Sequence, residues 1–246
     1  MKRLILTLTA LAGLAIGASA QIQMVSQLPT VIDKPGNYLL DPAAVVDPVY
    51  SNVALIQITG NNVNLDLNGL TIECSGQGLV IGGIPYSGQS YTTNHVSVKN
   101  GTFDGMGPAP TATGLAISNG CDNVSVTEVS FTGGWGSNFD WGAYTTLKND
   151  SFSAILQLYS LGPFETGITA GHGQYNNLSL SAPVGTWALN SFEPAGFGFV
   201  APFNDFKNIT VLSGIVNLSA GDTYQHFFYQ PPTQVIGGTN VQPGKH

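Results

Sequence analysis

An apolar pair in i, i+2 spacing, followed by a bulky apolar residue seven positions after the first, recurs along this chain. The strong copies are Leu65, Leu67 and Ile72; Val96, Val98 and Phe103; Val124, Val126 and Phe131; and Thr145, Leu147 and Phe152. Weaker copies start at Leu178 and Ile209, so the starts lie 31, 28, 21, 33 and 31 residues apart. Within each copy apolar residues alternate with Asn, Asp, Ser, Thr or Lys, as a strand with one buried face requires. A single copy is too short to bury its own apolar face, whereas stacked copies bury a continuous core. Helical alternatives fail on composition. Only 9% of the residues are charged, and 31 Gly and 14 Pro are spread through the 246 residues. Exposed helices need charged faces, and Gly and Pro break them. The expected fold class is all-β, a parallel β-helix of about six coils.

Short second strands follow the early copies: Leu79-Val80-Ile81 after Gly78, and Leu115-Ala116-Ile117 after Gly114. Asn recurs just before the strands, at Asn62, Asn94, Asn123, Asn177 and Asn208. Asn tolerates the left-handed backbone region, and in a stack such residues can share amide hydrogen bonds between coils. The glycosylation-type triplets at Asn123, Asn177 and Asn208 are by-products of this Asn-apolar-Ser/Thr strand start.

The first 20 residues read as a signal peptide: Met1-Lys2-Arg3, an apolar run from Leu4 to Ile16, then Ala18-Ser19-Ala20. That run is short for a membrane span, and no later stretch approaches its length. The expected domain plan is a signal peptide at 1–20, a β-helix domain at 21–219 and a C-terminal tail or cap at 220–246. The expected location is secreted, in the periplasm or outside the cell, with no transmembrane segment in the mature chain. Without the leader, five lysines, no arginine and 14 acidic residues remain, a net charge of −9. This excludes a nucleic-acid footprint and argues against binding a densely charged polyanion. Export permits a disulfide between Cys74 and Cys121, the two cysteines present, although two buried free thiols fit the count equally well.

The segment Leu28-Pro29-Thr30-Val31-Ile32-Asp33-Lys34-Pro35-Gly36-Asn37-Tyr38-Leu39 and the coil Asn62–Ile72 resemble those of secreted right-handed parallel β-helix repeat proteins of the pectin-lyase-like superfold. The resemblance is clear from about residue 28 to 134 and loose beyond. It implies a right-handed β-helix. It implies no particular reaction, because proteins of this bacterial type often have none assigned. Gly171-His172-Gly173 is comparable to the glycine-flanked histidine of polygalacturonases, but the other parts of that site are missing. Polyuronate lyases of the fold use Arg or Lys as base, and this mature chain has no Arg.

Chemistry is therefore sought on the outward side chains. Setting Leu65, Val96, Val124, Thr145, Leu178 and Ile209 in register yields polar outward files containing Asp66 and Lys99, suited to hydrogen-bonding neutral sugars and equally to a plain solvated sheet. The same register puts Glu73 and Asp104 on neighbouring strands roughly 5 Å apart, close enough for an acid and a nucleophile or base. With loop carbonyls they could hold Ca²⁺, the one cofactor considered; the alternative is an ordinary turn at a strand end. No zinc-type ligand spacing occurs. Trp135, Asp140, Trp141 and Tyr144 fall in the chain's densest aromatic stretch, where rings could stack on sugar C–H groups or simply cap the solenoid. His95 and His226 have no evident partner. Two functions follow as expectations. One is an exported binding or structural protein, with a polysaccharide as candidate partner. The other is a glycan-active enzyme using Glu73, Asp104 or Asp140.

Overall fold

The computed structural model describes residues 21–46, 53–83, 91–105, 113–118, 120–133, 137–142, 144–154, 156–159, 173–182, 187–192, 204–230 and 234–240. Every regular element among them is a β-strand. The first nine are β1 (Ile22–Leu28), β2 (Thr30–Ile32), β3 (Gly36–Val46), β4 (Ala54–Ile58), β5 (Val63–Cys74), β6 (Gln77–Ile81), β7 (Asn94–Gly105), β8 (Thr113–Ile117) and β9 (Asp122–Gly133). Shorter strands follow: β10 (Ser137–Asp140), β11 (Thr146–Lys148), β12 (Ser151–Phe152), β13 (Leu156–Tyr159), β14 (Gln174–Asn176), β15 (Ser179–Ser181) and β16 (Trp187–Phe192). The chain closes with β17 (Asp205–Ser213), β18 (Ile215–Tyr229) and β19 (Gln234–Asn240).

All pairings are parallel, and through β10 each strand bonds to the one two places along. One ladder runs β1–β3–β5–β7–β9; the other runs β2–β4–β6–β8–β10–β13–β16–β18. Beyond β9 the first ladder continues as the split pairs β11/β12 and β14/β15, then as β17 and the second half of β18. This is the stacked parallel arrangement that the repeat calls for, consistent with a β-solenoid. The strand segments 220–229 and 234–240 prolong the same ladders, since β18 carries on to Tyr229 and β19 pairs with it.

From β5 onward a left-handed residue divides each long rung into a first and a second limb, ending with His226 (φ 57°) opposite Asn208. The residues before it are Asn68 (φ 60°), Asn100 (63°), Glu128 (59°), Asn149 (58°), Asn177 (54°) and Asn208 (54°). The strands β4, β6 and β8 form a third limb. A separate left-handed file, Asn62, His95, Asn123 and Tyr144, precedes the first limb. Asn177 and Asn208 thus belong between the limbs, not in one file with Asn62. There the amides stack as expected: Asn177 Nδ2 donates to Asn149 Oδ1 at 3.0 Å, and Asn208 Nδ2 to Asn177 Oδ1 at 3.0 Å.

The register departs from the sequence reading by two residues on the first limb. Val63, not Leu65, lies opposite Val96, and Leu65 faces Val98. A shift between Asp66 and Leu70 absorbs the difference, so Ile72 still meets Phe103. Extra residues around the left-handed Asn68-Gly69 bend are the physical cause. Leu178 likewise falls on the second limb, one residue before Ser179, which pairs with Ser151.

Inside, Phe103, Phe131 and Phe152 stack nearly face to face, with centroids 5.5 and 5.2 Å apart and planes within 3° and 10°. Tyr175 stacks on Phe206 at 4.9 Å. On the third limb both sides are closed: Ile56, Leu79 and Leu115 enter the main core, while Ala54, Val80 and Ala116 form a small buried cluster of their own. Cys74 and Cys121 are both buried and free, so the permitted disulfide is not made. Burial raises both thiol pKa values, that of Cys121 to about 12. No helix among the described residues is long and apolar enough to cross a membrane.

Candidate functional site

With the third limb closed over β4, β6 and β8, outward chemistry concentrates on the first and second limbs. Strand alternation and the observed register set two outward columns on the first limb. One reads Asn37, Asn64, Ser97, Ser125, Thr146, Gln174 and Asp205; the other reads Leu39, Asp66, Lys99, Thr127, Lys148, Asn176 and Lys207.

At the N-terminal end these columns border a groove of about 470 Å³, lined by Ile22, Asn37, Tyr38, Leu39, Asn64, Leu65, Asp66, Ser97 and Lys99. That volume is in the range that holds a small ligand or a segment of a larger one. Lys99 Nζ lies 3.2 Å from Asp66 Oδ2. Asp66 Oδ1 also accepts Asn68 N at 2.8 Å and Asn100 Nδ2 at 3.1 Å. Partial burial pulls the Asp66 carboxyl upward, but these bonds and the Lys99 charge outweigh it and hold the group below its usual range. It is a fixed anion. Asn64 Nδ2 donates to Asn37 Oδ1 at 3.0 Å, and the Tyr38 hydroxyl donates to Lys34 O at 2.9 Å. The groove therefore combines preset amide and carboxylate acceptors, an ammonium donor and apolar surface from Leu39 and Ile22.

The structure brings Asp66 and Lys99 together here; the other anticipated residues lie elsewhere. Glu73 and Asp104 are directly opposite each other on the second limb. Glu73 is exposed and Asp104 half-buried, with Thr132 Oγ1 donating to Asp104 Oδ1 at 3.2 Å. Among the described residues no group of three or more His, Cys, Asp or Glu could hold a metal ion.

Asp140 ends β10 opposite Ile117, which places it in an inward file, 2% exposed. It accepts the Tyr175 hydroxyl at 2.8 Å, Thr145 Oγ1 at 3.0 Å and Gly142 N at 3.1 Å. Burial raises its pKa to about 6 against the pull of those three donors. Trp141 is half-buried and meets Phe139 edge-on at 5.3 Å, while Tyr144 is exposed in a left-handed conformation. Trp135 and His172 lie outside the described residues. His95 is exposed, and His226 Nδ1 reaches Asn208 Oδ1 at 3.1 Å.

Sequence reasoning missed Asn37, Tyr38 and Asn64 as groove walls, while Ser97 was already in its outward polar file. Asn37 and Asn64 lie in the outward phase of β3 and β5, whereas Tyr38, opposite Leu65 and packed against the core, carries no outward signal. Sequence reasoning also missed two buried carboxylates. Asp150 accepts Val129 N at 2.8 Å and Lys148 N at 3.0 Å. Asp222 accepts Ser219 N at 2.9 Å and Asn204 N at 3.1 Å. Burial pushes both carboxyls up, Asp150 to about 8.

No protein-family model, curated protein or solved structure matches the chain.

Proposed function

We propose that this is an exported, right-handed parallel β-helix protein of the pectin-lyase-like type that binds carbohydrate without transforming it. The observation that supports the reading most is the first-limb groove, where the Asp66–Lys99 pair, the Asn37–Asn64 amides and the Leu39 surface converge. The exported location rests on the leader-like first 20 residues. Calorimetric titration of the chain from residue 21 onward against a panel of soluble polysaccharides tests it. Binding that weakens in Asp66→Asn and Lys99→Gln, with an unchanged thermal melt, supports the reading. Binding that ignores both substitutions removes the groove from consideration.

A second reading, a glycan-active enzyme, rests on the in-register Glu73 and Asp104. Adjacent parallel strands put such carboxylates roughly 5 Å apart, the separation of a retaining glycosidase pair. New reducing ends from any polysaccharide, lost in Asp104→Asn at unchanged melting temperature, would favour this reading over the first.

A further inference from the structure

Three of the four described lysines share one column of the first limb. Lys99 pairs in register with Thr127, Thr127 with Lys148, Lys148 with Asn176, and Asn176 with Lys207. All three lysines are exposed. They recur on every second rung, roughly 10 Å apart at the usual strand spacing. Their column carries no carboxylate between Lys99 and Lys207. Asp66 lies beyond its first lysine and is paired with it. Asp205 stands in the neighbouring column, where its carboxylate takes the Thr223 hydroxyl. Glu128 sits at the corner between the limbs and is exposed. Among the described residues neither Lys148 nor Lys207 forms an ion pair. Beside them Ser125, Thr146 and Gln174 present neutral hydrogen-bonding groups.

The net charge, −7 for the full sequence and −9 without its first 20 residues, is a property of the whole surface and reaches only about 8 Å through physiological salt. A ligand lying along this column meets cations at a fixed repeat with neutral polar groups between them. Charge complementarity then sets the ligand's own pattern, one anion for each neutral interval.

We infer that the polymer taken by this face is a linear acidic glycan with one acidic group on every second sugar, running along the stack so that successive acids meet Lys99, Lys148 and Lys207. The inference rests on the carbohydrate-binding reading and narrows it. A polymer with an acid on every sugar places half its charges between the lysines, against Thr127 and Asn176. A neutral polymer leaves the column unused.

The test is titration of the same chain with hyaluronan (one carboxylate per disaccharide), polygalacturonate (one per sugar) and laminarin (uncharged). The expected result is preferential binding of hyaluronan that weakens as salt is raised. Lys148→Gln and Lys207→Gln should each cost roughly three- to fivefold in affinity, the range an exposed ion pair supports, with the thermal melt unchanged. Laminarin bound as tightly as hyaluronan, with no response to the lysine substitutions, overturns the acidic-polymer inference and leaves carbohydrate binding standing. Tighter binding of polygalacturonate overturns the every-second-sugar pattern. Failure of all three polymers to bind overturns this inference and counts against the broader reading too.

Discussion

The rungs up to β9 and those from β10 to β16 solve the same stacking problem with different materials. In the first region β5, β7 and β9 each run 12 residues and turn only hydrocarbon or thiol side chains inward, with Gln57, Gln77 and Thr113 the buried polar residues of its third limb. In the second, strands shrink to between two and six residues. There Asn138, Asp140, Asp150 and Ser191 are buried. Leu115 N bonds to Asn138 Oδ1 at 2.9 Å, and Asp150 holds Val129 N of the preceding rung together with Lys148 N of its own corner. Where apolar stacking is long, it carries most of the register, helped by single buried contacts such as Gln57 Nε2 to Gly82 O. Where it is short, buried acceptors tie rung to rung through backbone N–H groups that would otherwise be orphaned.

Four substitutions or conditions probe that contrast, from the largest expected effect to the smallest. Phe131→Ala empties the middle of the ring stack in the hydrocarbon region and should cost about 3–5 kcal/mol in urea unfolding. A much smaller loss would mean that the neighbouring Phe103 and Phe152 collapse into the gap. Asp150→Ala leaves two buried amides without an acceptor and should cost about 2–3 kcal/mol. If the loss exceeded that of Phe131→Ala, the polar ties rather than the stack would dominate stability.

The same two regions should part company with pH. Asp140 and Asp150 have folded pKa values raised by burial to about 6 and about 8, above their unfolded 3.8. The folded state therefore holds protons that the unfolded state releases. The stability tied to those protons is complete below about pH 4 and is lost as pH climbs through 6 and then 8. The melting temperature should fall across that window. Hydrogen exchange should quicken in residues 137–159 before it does in 94–105. A melting temperature that rises instead would show that the donors around the two carboxylates outweigh burial. Last, Asn177→Ala removes a ladder amide and forces alanine into a left-handed conformation, a cost of about 1–2 kcal/mol. Asn177→Gly, which spares the backbone, should recover about half of that loss.

Much of the hydrocarbon region was legible because its alternation is strict. The inward positions of β5, β7 and β9 carry apolar residues or a thiol, and the facing of Glu73 with Asp104 followed from the spacing of Ile72 and Phe103. The groove was only partly legible. Asp66 and Lys99 stood out as charges in a chain with few, yet their neighbours depend on the Asn68-Gly69 bend, which moves the first limb by two residues without disturbing the second. The polar region was opaque for another reason. Asp140 beside Trp141 reads like a loop residue, since nothing in the local sequence says that Tyr175, 35 positions later, arrives to hydrogen-bond it. Buried polar residues carry no periodic signal; their partners come from other rungs.

The stacked asparagines also carry a consequence for expression in a glycosylating host. Asn177 and Asn208 each head an Asn-x-Ser/Thr triplet, and in each the nitrogen that would receive an N-linked sugar is the one that bonds to the rung before it. Sugar transfer in a eukaryotic secretory pathway acts on chains still unfolded, so there modification and ladder formation compete for one atom. A glycan on Asn177 would wedge between adjacent rungs in the region with the shortest strands. Host choice for this chain is thereby a folding variable, and a host that leaves these triplets bare preserves the ladder.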